Sequence, residues 1–262
     1  MALWLAIGLG VLQGLTEFLP ISSSAHLALA AMAFGFTEPQ TLFDVVLHLG
    51  TLVAVCIICW GPIRDMLLAL VRPRWSNTRL RLAVWVVLGT IPTGVLGVLI
   101  GNRLESVTTV PLMAAALCVT GFILRTTRGR GETGRTLDQM TWKDAVLIGL
   151  VQGLHVRGIS RSGSTIAMGL WLGLERDAAA TYSFLLSIPA VLGAVALKGG
   201  EALHGGESIA TTPLLVGAVV SGVVGYASLG VLQRLVRKGS FHTFAWYCWG
   251  LAAVSLGVWA VA

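Results

Sequence analysis

The first apolar stretch of the chain is interrupted by Gln13-Gly14-Leu15-Thr16-Glu17-Phe18-Leu19-Pro20-Ile21-Ser22-Ser23-Ser24-Ala25-His26. A second stretch, residues 145–174, is interrupted by Arg157-Gly158-Ile159-Ser160-Arg161-Ser162-Gly163-Ser164-Thr165. Only twelve residues separate Asp144 from Arg157; as a helix they would be about 18 Å long, whereas membrane hydrocarbon is about 30 Å thick. We therefore predict that each stretch is a re-entrant helical hairpin, which enters and leaves the membrane on one side.

The composition places the whole chain in a membrane. Of its 262 residues, 55% are apolar and only 11% are charged. Soluble domains carry about 25% charged residues, so a soluble globular enzyme and a disordered chain are excluded. The net charge of +6 does not indicate a nucleic-acid partner, because Lys and Arg also mark the cytoplasmic loops of membrane proteins. We predict an all-α integral membrane protein with a single membrane domain, residues 1–262, whose partner is the bilayer.

Six further runs are apolar enough to cross the membrane as helices. They are residues 41–60, 82–100, 111–124, 178–197, 213–232 and 241–262. A shift of 139 positions places Ser162 on Ser23, without a gap from Gly10 to about Ala54. We predict internal repeats at about 1–128 and 140–262, each a re-entrant hairpin followed by three transmembrane helices. Because three is an odd number, the second repeat starts on the opposite side of the membrane, which defines an inverted-topology repeat.

The distribution of basic residues predicts the orientation. If Met1 lies outside, fourteen of the eighteen Lys and Arg residues fall in cytoplasmic loops and two fall in outside loops. The other two, Arg157 and Arg161, belong to the second hairpin. Positive loops face the cytoplasm, so we expect both termini to be outside.

The two interruptions carry complementary chemistry. The first offers the carboxylate of Glu17, three serine hydroxyls and the imidazole of His26. These groups suit nucleophilic, acid–base or metal chemistry. The second offers Arg161, which can hold an oxyanion with two hydrogen bonds, and the N-terminus of a helix, which favours anions. We predict a phosphate site where the hairpins meet. The candidate binding residues are Ser22, Ser24, Arg157, Ser160, Ser162, Gly163, Ser164 and Thr165.

Each of these residues also has a structural interpretation, which the sequence leaves open. The serines could cap helices, Glu17 and Arg161 could form an ion pair between the hairpins, and His26 could be a hydrogen-bonded core imidazole. Asp44 and His48 share a helix face at a spacing of four residues. They could line the same cavity or bond only to each other.

The two interrupted stretches resemble the signature motifs of the undecaprenyl-pyrophosphate phosphatase family, the bacitracin-resistance type. The resemblance runs from about residue 5 to the C-terminus. It includes the stretches Phe43-Asp44-Val45-Val46-Leu47-His48-Leu49-Gly50-Thr51 and Phe184-Leu185-Leu186-Ser187-Ile188-Pro189. The chain departs from the family pattern at three positions. Gln13 stands at the first acidic position of an E/Q-x-x-x-E motif, Arg157 stands where Pro is usual, and His48 stands where Gln is common.

The resemblance implies a multi-pass enzyme of the bacterial plasma membrane that hydrolyses undecaprenyl pyrophosphate to undecaprenyl phosphate. It implies an active site that opens to the outer face, dependence on Mg²⁺ or Ca²⁺, and recycling of the carrier lipid for cell-wall synthesis. The residues that match catalytic or pyrophosphate-binding positions of the family are Glu17, Ser23, His26, Arg161 and Thr165. For the metal we expect Glu17, helped by Gln13 and Asp44.

Two points stay open in the sequence. Either His26 or Ser23 could attack the terminal phosphorus. The rival function is a secondary transporter or lipid flippase that binds a phosphorylated head group, since inverted repeats with broken helices are typical of transporters. The concentration of nucleophilic, acid–base and Arg groups favours the enzyme, because transport needs no attacking group. A homo-oligomer is compatible with the sequence, which does not specify the oligomeric state.

Overall fold

The computed structural model describes residues 2–35, 41–71, 73–74, 76–106, 109–154, 156–204 and 210–261. Within these ranges the regular structure is helical, apart from one isolated bridge between Arg135 and Leu174. The helices are α1 (Leu3–Phe18), α2 (Ser23–Ala33), α3 (Thr41–Ile58), α4 (Trp60–Val71), α5 (Thr78–Ser106), α6 (Val110–Arg125), α7 (Trp142–Gly153), α8 (Arg161–Trp171), α9 (Arg176–His204), α10 (Thr211–Arg237) and α11 (Phe244–Val261).

Five helical segments are long and apolar enough to cross a membrane. They are Thr41–Ile58, Thr78–Ile100, Arg176–Glu201, Thr211–Arg237 and Phe241–Val261. The remaining predicted run, residues 111–124, forms α6, whose 16 residues span about 24 Å. The prediction of an all-helical, multi-pass membrane protein is confirmed. The first predicted run differs in one detail, because its helix ends at Ile58 and a separate helix, α4, begins at Trp60.

Both polar interruptions fall between helices. Residues 19–22, the first tip, separate α1 from α2. Pro20 explains this break, because a proline pushes the preceding residue into an extended conformation, and Leu19 has φ −58° and ψ 141°. Residues 156–160, the second tip, precede α8, and Gly158 has a φ of 104°, which a glycine adopts without strain.

Small residues let the short helices pack tightly against long ones, as is common in membranes. A Cβ atom on Gly14 of α1 would lie 2.7 Å from the carbonyl oxygen of Ser221 in α10. A Cβ atom on Gly149 of α7 would lie 2.1 Å from the carbonyl oxygen of Gly89 in α5. The backbones therefore touch at both crossings. The short helix α1 packs against α10, and the short helix α7 packs against α5.

The contacts also give the direction of these helices. Gly10 faces Gly217, and Gly14 faces Ser221, so α1 runs parallel to α10. Gly149 faces Gly89, and Gly153 faces Pro92 and Leu96, so α7 runs parallel to α5. The long helices α5 and α9 are parallel as well, because Gly89 lies beside Tyr182 and Leu186, whereas Ile91 and Gly94 line a groove with Leu192.

Candidate active site

Glu17 lies in the last turn of α1 and is buried. Its Oε2 atom accepts hydrogen bonds from the Ser23 hydroxyl at 2.6 Å and from the Gln13 amide at 3.0 Å. Its Oε1 atom pairs with the guanidinium of Arg161. The Nε2 atom of His48 lies 3.6 Å from Oε2. One carboxylate thus joins α1, α2, α3 and α8.

The two tips meet directly. The backbone N–H of Gly158 donates to the Ser22 hydroxyl at 3.1 Å, which places this pair beside the ion pair of Glu17 with Arg161. Ser22 has a φ of 68°, the only positive φ at a non-glycine residue in the described ranges. Strained backbone of this kind is concentrated at functional sites. The structure therefore brings the predicted acid–base groups and the predicted Arg into one place.

Both ring nitrogens of His26 are engaged. Nδ1 lies 2.8 Å from the carbonyl oxygen of Ser22, and Nε2 lies 2.8 Å from the hydroxyl of Tyr247 in α11. A carbonyl oxygen can only accept, so Nδ1 carries a proton, and in the neutral form of the ring Nε2 accepts from Tyr247. The two rings are also stacked, with centroids 5.7 Å apart.

Several hydroxyls that were predicted to bind the anion form hydrogen bonds with backbone groups of α8. Ser160 is the N-cap and accepts from the N–H of Gly163 at 3.1 Å. Ser164 and Thr165 donate to the carbonyl oxygen of Arg161, and Ser162 lies 3.3 Å from Ser160 through their hydroxyls. The N–H groups of the first two residues of α8 have no intrahelical acceptor, so this helix end remains suited to an anion.

We call the group formed by Glu17, Ser23, His26 and Arg161 the centre. The remaining predicted residues lie around it. The Ser24 hydroxyl is 3.3 Å from that of Ser22. Arg157 is half-buried in the second tip, next to Gly158. The carbonyl oxygen of Asp44 accepts from Nδ1 of His48 at 2.7 Å, so these two residues bond through the backbone while His48 also reaches Glu17.

The chain is similar over nearly its full length to one sequence family and to several named proteins. The sequence model described as "Bacitracin resistance protein BacA" matches residues 6–254. A protein named undecaprenyl-diphosphatase from Desulfosudis oleivorans is 43% identical over 95% of this chain and 96% of its own length. One of the same name from Desulforapulum autotrophicum is 41% identical over 98% of both chains.

This chain belongs to the bacitracin resistance protein BacA family. The family stretch includes every residue of the centre described above. Sequence reasoning missed one residue beside the centre, Tyr247, which completes the surroundings of His26. Its only signal is a tyrosine within an apolar run, which is equally typical of the aromatic belts of membrane proteins.

The protein groups at this BacA-family centre suit a divalent ion only in part. In the described ranges, no three His, Cys, Asp or Glu side chains converge as metal ligands do. The Oε1 atom of Gln13 is buried and has no hydrogen-bond partner, although its amide group bonds to Glu17. An unsatisfied oxygen beside a carboxylate fits a cation that keeps several waters or phosphate oxygens, as Mg²⁺ does.

Proposed function

We propose that this chain is an undecaprenyl-diphosphatase, which hydrolyses undecaprenyl diphosphate to undecaprenyl phosphate and inorganic phosphate. The name of its relatives supports this function. The observation that carries it is the contact of one carboxylate, Glu17, with a serine hydroxyl on one side and a guanidinium on the other. Hydrolysis of a phosphoric anhydride needs a nucleophile, a base and a cation at the phosphate, and these three groups supply them.

Ser23 is the nucleophile in this proposal. Its hydroxyl already donates to Glu17, so Glu17 can accept the proton as the serine oxygen bonds to the terminal phosphorus. The bond from that phosphorus to the bridging oxygen breaks, and undecaprenyl phosphate leaves. Water then attacks the phosphorus of the phosphoserine, and the bond from that phosphorus to the serine oxygen breaks. Glu17 returns its proton to the serine oxygen, and inorganic phosphate leaves with the proton of the water. His26 is less suited to attack, because Nδ1 is protonated and Nε2 is occupied by Tyr247.

Arg161 binds the diphosphate in this proposal. In the structure it pairs with Glu17, and this pairing weakens the carboxylate as a base. An incoming diphosphate competes for the guanidinium and frees Glu17 at the moment when Ser23 must lose its proton. The N-terminus of α8 and the neighbouring Arg157 supply further positive potential.

A divalent ion, Mg²⁺ or Ca²⁺, would be held by Gln13 and Glu17 together with diphosphate oxygens. Such an ion neutralises charge on the phosphate oxygens when it is bound. Asp44 is the third residue proposed for it, from the sequence. The protein itself positions Gln13 one helical turn before Glu17, so that both side chains share one face of α1.

We further propose an inverted-topology repeat, residues 1–128 and 140–262, with α1–α2 and α7–α8 as re-entrant hairpins. Consecutive transmembrane helices run in opposite directions, so α10 is antiparallel to α9. Because α5 is parallel to α9, α10 is also antiparallel to α5. Because α1 runs with α10 and α7 runs with α5, this packing supports entry from opposite faces. The charge distribution supports outside termini and a site open to the outer face of the plasma membrane. There the enzyme would recycle the carrier lipid for cell-wall synthesis.

Purified protein in lipid nanodiscs, supplied with a polyprenyl diphosphate, tests the function through the release of inorganic phosphate with and without EDTA. We expect release by the wild type and a loss of at least about 100-fold in Arg161→Lys, because an ammonium cannot reproduce the guanidinium fork. Arg237→Lys is the matched control, since that residue forms an exposed pair with Asp177. Binding of the lipid without phosphate release would support the transporter instead.

A further inference from the structure

Tyr247 connects α11 to the first turn of α2, directly after the first tip. Its hydroxyl lies 2.8 Å from Nε2 of His26, and the two rings stack with an interplanar angle of 12°. The next residue of α11, Cys248, reaches the first tip itself, with its sulfur 3.6 Å from the carbonyl oxygen of Pro20. Two successive residues of α11 therefore contact the first turn of α2 and the tip that precedes it.

His26 in turn bonds to the backbone of Ser22, which is strained. Nδ1 of His26 donates to the carbonyl oxygen of Ser22, the residue with the positive φ. Such a conformation persists only where the surroundings hold it. The hydroxyl of Ser22 in turn accepts from Gly158 of the second tip. A continuous series of hydrogen bonds thus runs from Tyr247 through His26 and Ser22 to Gly158.

The conformation of Ser22 determines where Ser23 lies. Ser23 is the first residue of α2, and its hydroxyl must lie within hydrogen-bond distance of Glu17 for the proposed attack. A rotation about the backbone of Ser22 would move this hydroxyl away. Misplacement of a reacting group by about 1 Å can reduce turnover about 100-fold.

We propose that Tyr247 is a positioning residue for the hydrolysis, acting through His26. The proposal rests on the proposed function, since it assigns Tyr247 a part in the same reaction. Its hydroxyl fixes the orientation of the His26 ring, whose Nδ1 donates to the Ser22 carbonyl, and the ring holds Ser22 so that Ser23 faces Glu17. Tyr247 has no described bond to Glu17 or Arg161, so it acts on the reacting groups through His26. About half of the side chain is exposed, so loss of the hydroxyl removes this bond with little effect on packing.

A double-mutant cycle tests this route. Tyr247→Phe, His26→Ala and the double variant are compared with the wild type for kcat and KM. We expect Tyr247→Phe to lower kcat about tenfold at nearly unchanged KM, because one hydrogen bond is lost and the phosphate-binding groups are intact. In the His26→Ala background the same substitution should change kcat less than about twofold. Tyr226→Phe, on the exposed face of α10, is the matched control and should leave kcat unchanged.

Wild-type kcat in Tyr247→Phe, or an equal loss of kcat in both backgrounds, would overturn the proposal. A second measurement needs no variant that might misfold. Nitrogen-15 NMR of histidine-labelled wild-type protein, without substrate, should show a neutral His26 ring protonated at Nδ1, with Nε2 accepting a hydrogen bond. A ring protonated at Nε2 alone would refute the geometry. If wild-type protein releases no phosphate but shows the expected ring, the proposed function fails and the Tyr247–His26 contact stands.

Discussion

The Ser23 hydroxyl lies 2.6 Å from Oε2 of Glu17, although the two residues belong to different helices. The four residues of the first tip reverse the chain and bring the start of α2 back to the end of α1. The same carboxylate also pairs with Arg161. Base, nucleophile and phosphate-binding cation therefore converge at one carboxylate, and this convergence depends on the conformation of a short polar turn.

Ser23→Ala should abolish phosphate release while leaving lipid binding nearly intact. Removal of the hydroxyl removes the attacking atom, and we expect kcat to fall at least about 1000-fold at similar KM. Single-turnover phosphate release measures this directly. Ser255→Ala is the matched control, because Ser255 is buried in α11 and its hydroxyl donates only to the carbonyl oxygen of Leu251. Turnover within about tenfold of the wild type in Ser23→Ala would instead favour attack by His26.

Gln13→Glu should strengthen the response to divalent ions. A second carboxylate at this position would give the unsatisfied oxygen a charge, and carboxylates bind Mg²⁺ and Ca²⁺ better than amides do. We expect the ion concentration for half-maximal rate to fall about tenfold, as measured by titration after EDTA treatment. Gln139→Glu, on an exposed turn, should leave the titration unchanged. Activity that is insensitive to EDTA in the wild type would show that Glu17 acts without a metal.

The sequence predicted the centre better than its surroundings. Ser, Arg and Glu inside apolar stretches are costly in a membrane, so their functional importance was visible without a structure. The contact between Ser22 and Gly158 agrees with the prediction that the two polar tips meet. The bond between His26 and Tyr247 could not be predicted, because 221 positions separate the two residues and only the packing of α11 against the first tip brings them together.

The helix bounds were predictable for a different reason. Long apolar runs must form helices in a membrane, because every backbone group needs an internal partner there. The start of α4 at Trp60 was missed, since apolar residues continue across the break at Cys59 without a polar signal. The close crossing of Gly149 over Gly89 was also missed, because glycines are frequent throughout this chain and only the helix packing distinguishes them.

Gly149→Ala should destabilise the protein strongly. The new Cβ would lie 2.1 Å from the carbonyl oxygen of Gly89, so α7 and α5 must separate, and we expect a loss of about 3 kcal/mol in the free energy of unfolding. Thermal unfolding followed by tryptophan fluorescence measures the change. Gly97→Ala is the matched control, because a Cβ there meets nothing within 4 Å. An unchanged unfolding midpoint in Gly149→Ala would contradict this helix crossing.

The start of α7 and the end of α8 are held together by a bidentate ion pair. Arg135 donates to both carboxylate oxygens of Asp144 at 2.7 Å, and also to the carbonyl oxygen of Leu172. The connecting segment is thereby joined to the start of α7 and to the end of α8. Burial would raise the pKa of Asp144, but the hydrogen bonds from Arg135 and Thr141 outweigh it and hold the pKa below its usual 3.8.

Asp144→Asn should therefore lower stability in a pH-dependent way. Because the folded-state pKa is lower than the unfolded one, the ionised carboxylate contributes fully above the unfolded-state pKa, and its contribution is lost as the pH falls through the folded-state pKa. At pH 7 we expect a loss of about 2 kcal/mol, less than for a fully buried pair because the guanidinium is partly exposed. The difference from the wild type should shrink below about pH 4. Asp177→Asn, in an exposed pair with Arg237, should change stability by less than about 1 kcal/mol. Unfolding curves between pH 7 and about pH 2 compare the three proteins, because the native carboxylate is protonated only below its lowered folded-state pKa. A constant deficit of Asp144→Asn over this whole range would show that lost packing, and not the ion pair, causes it.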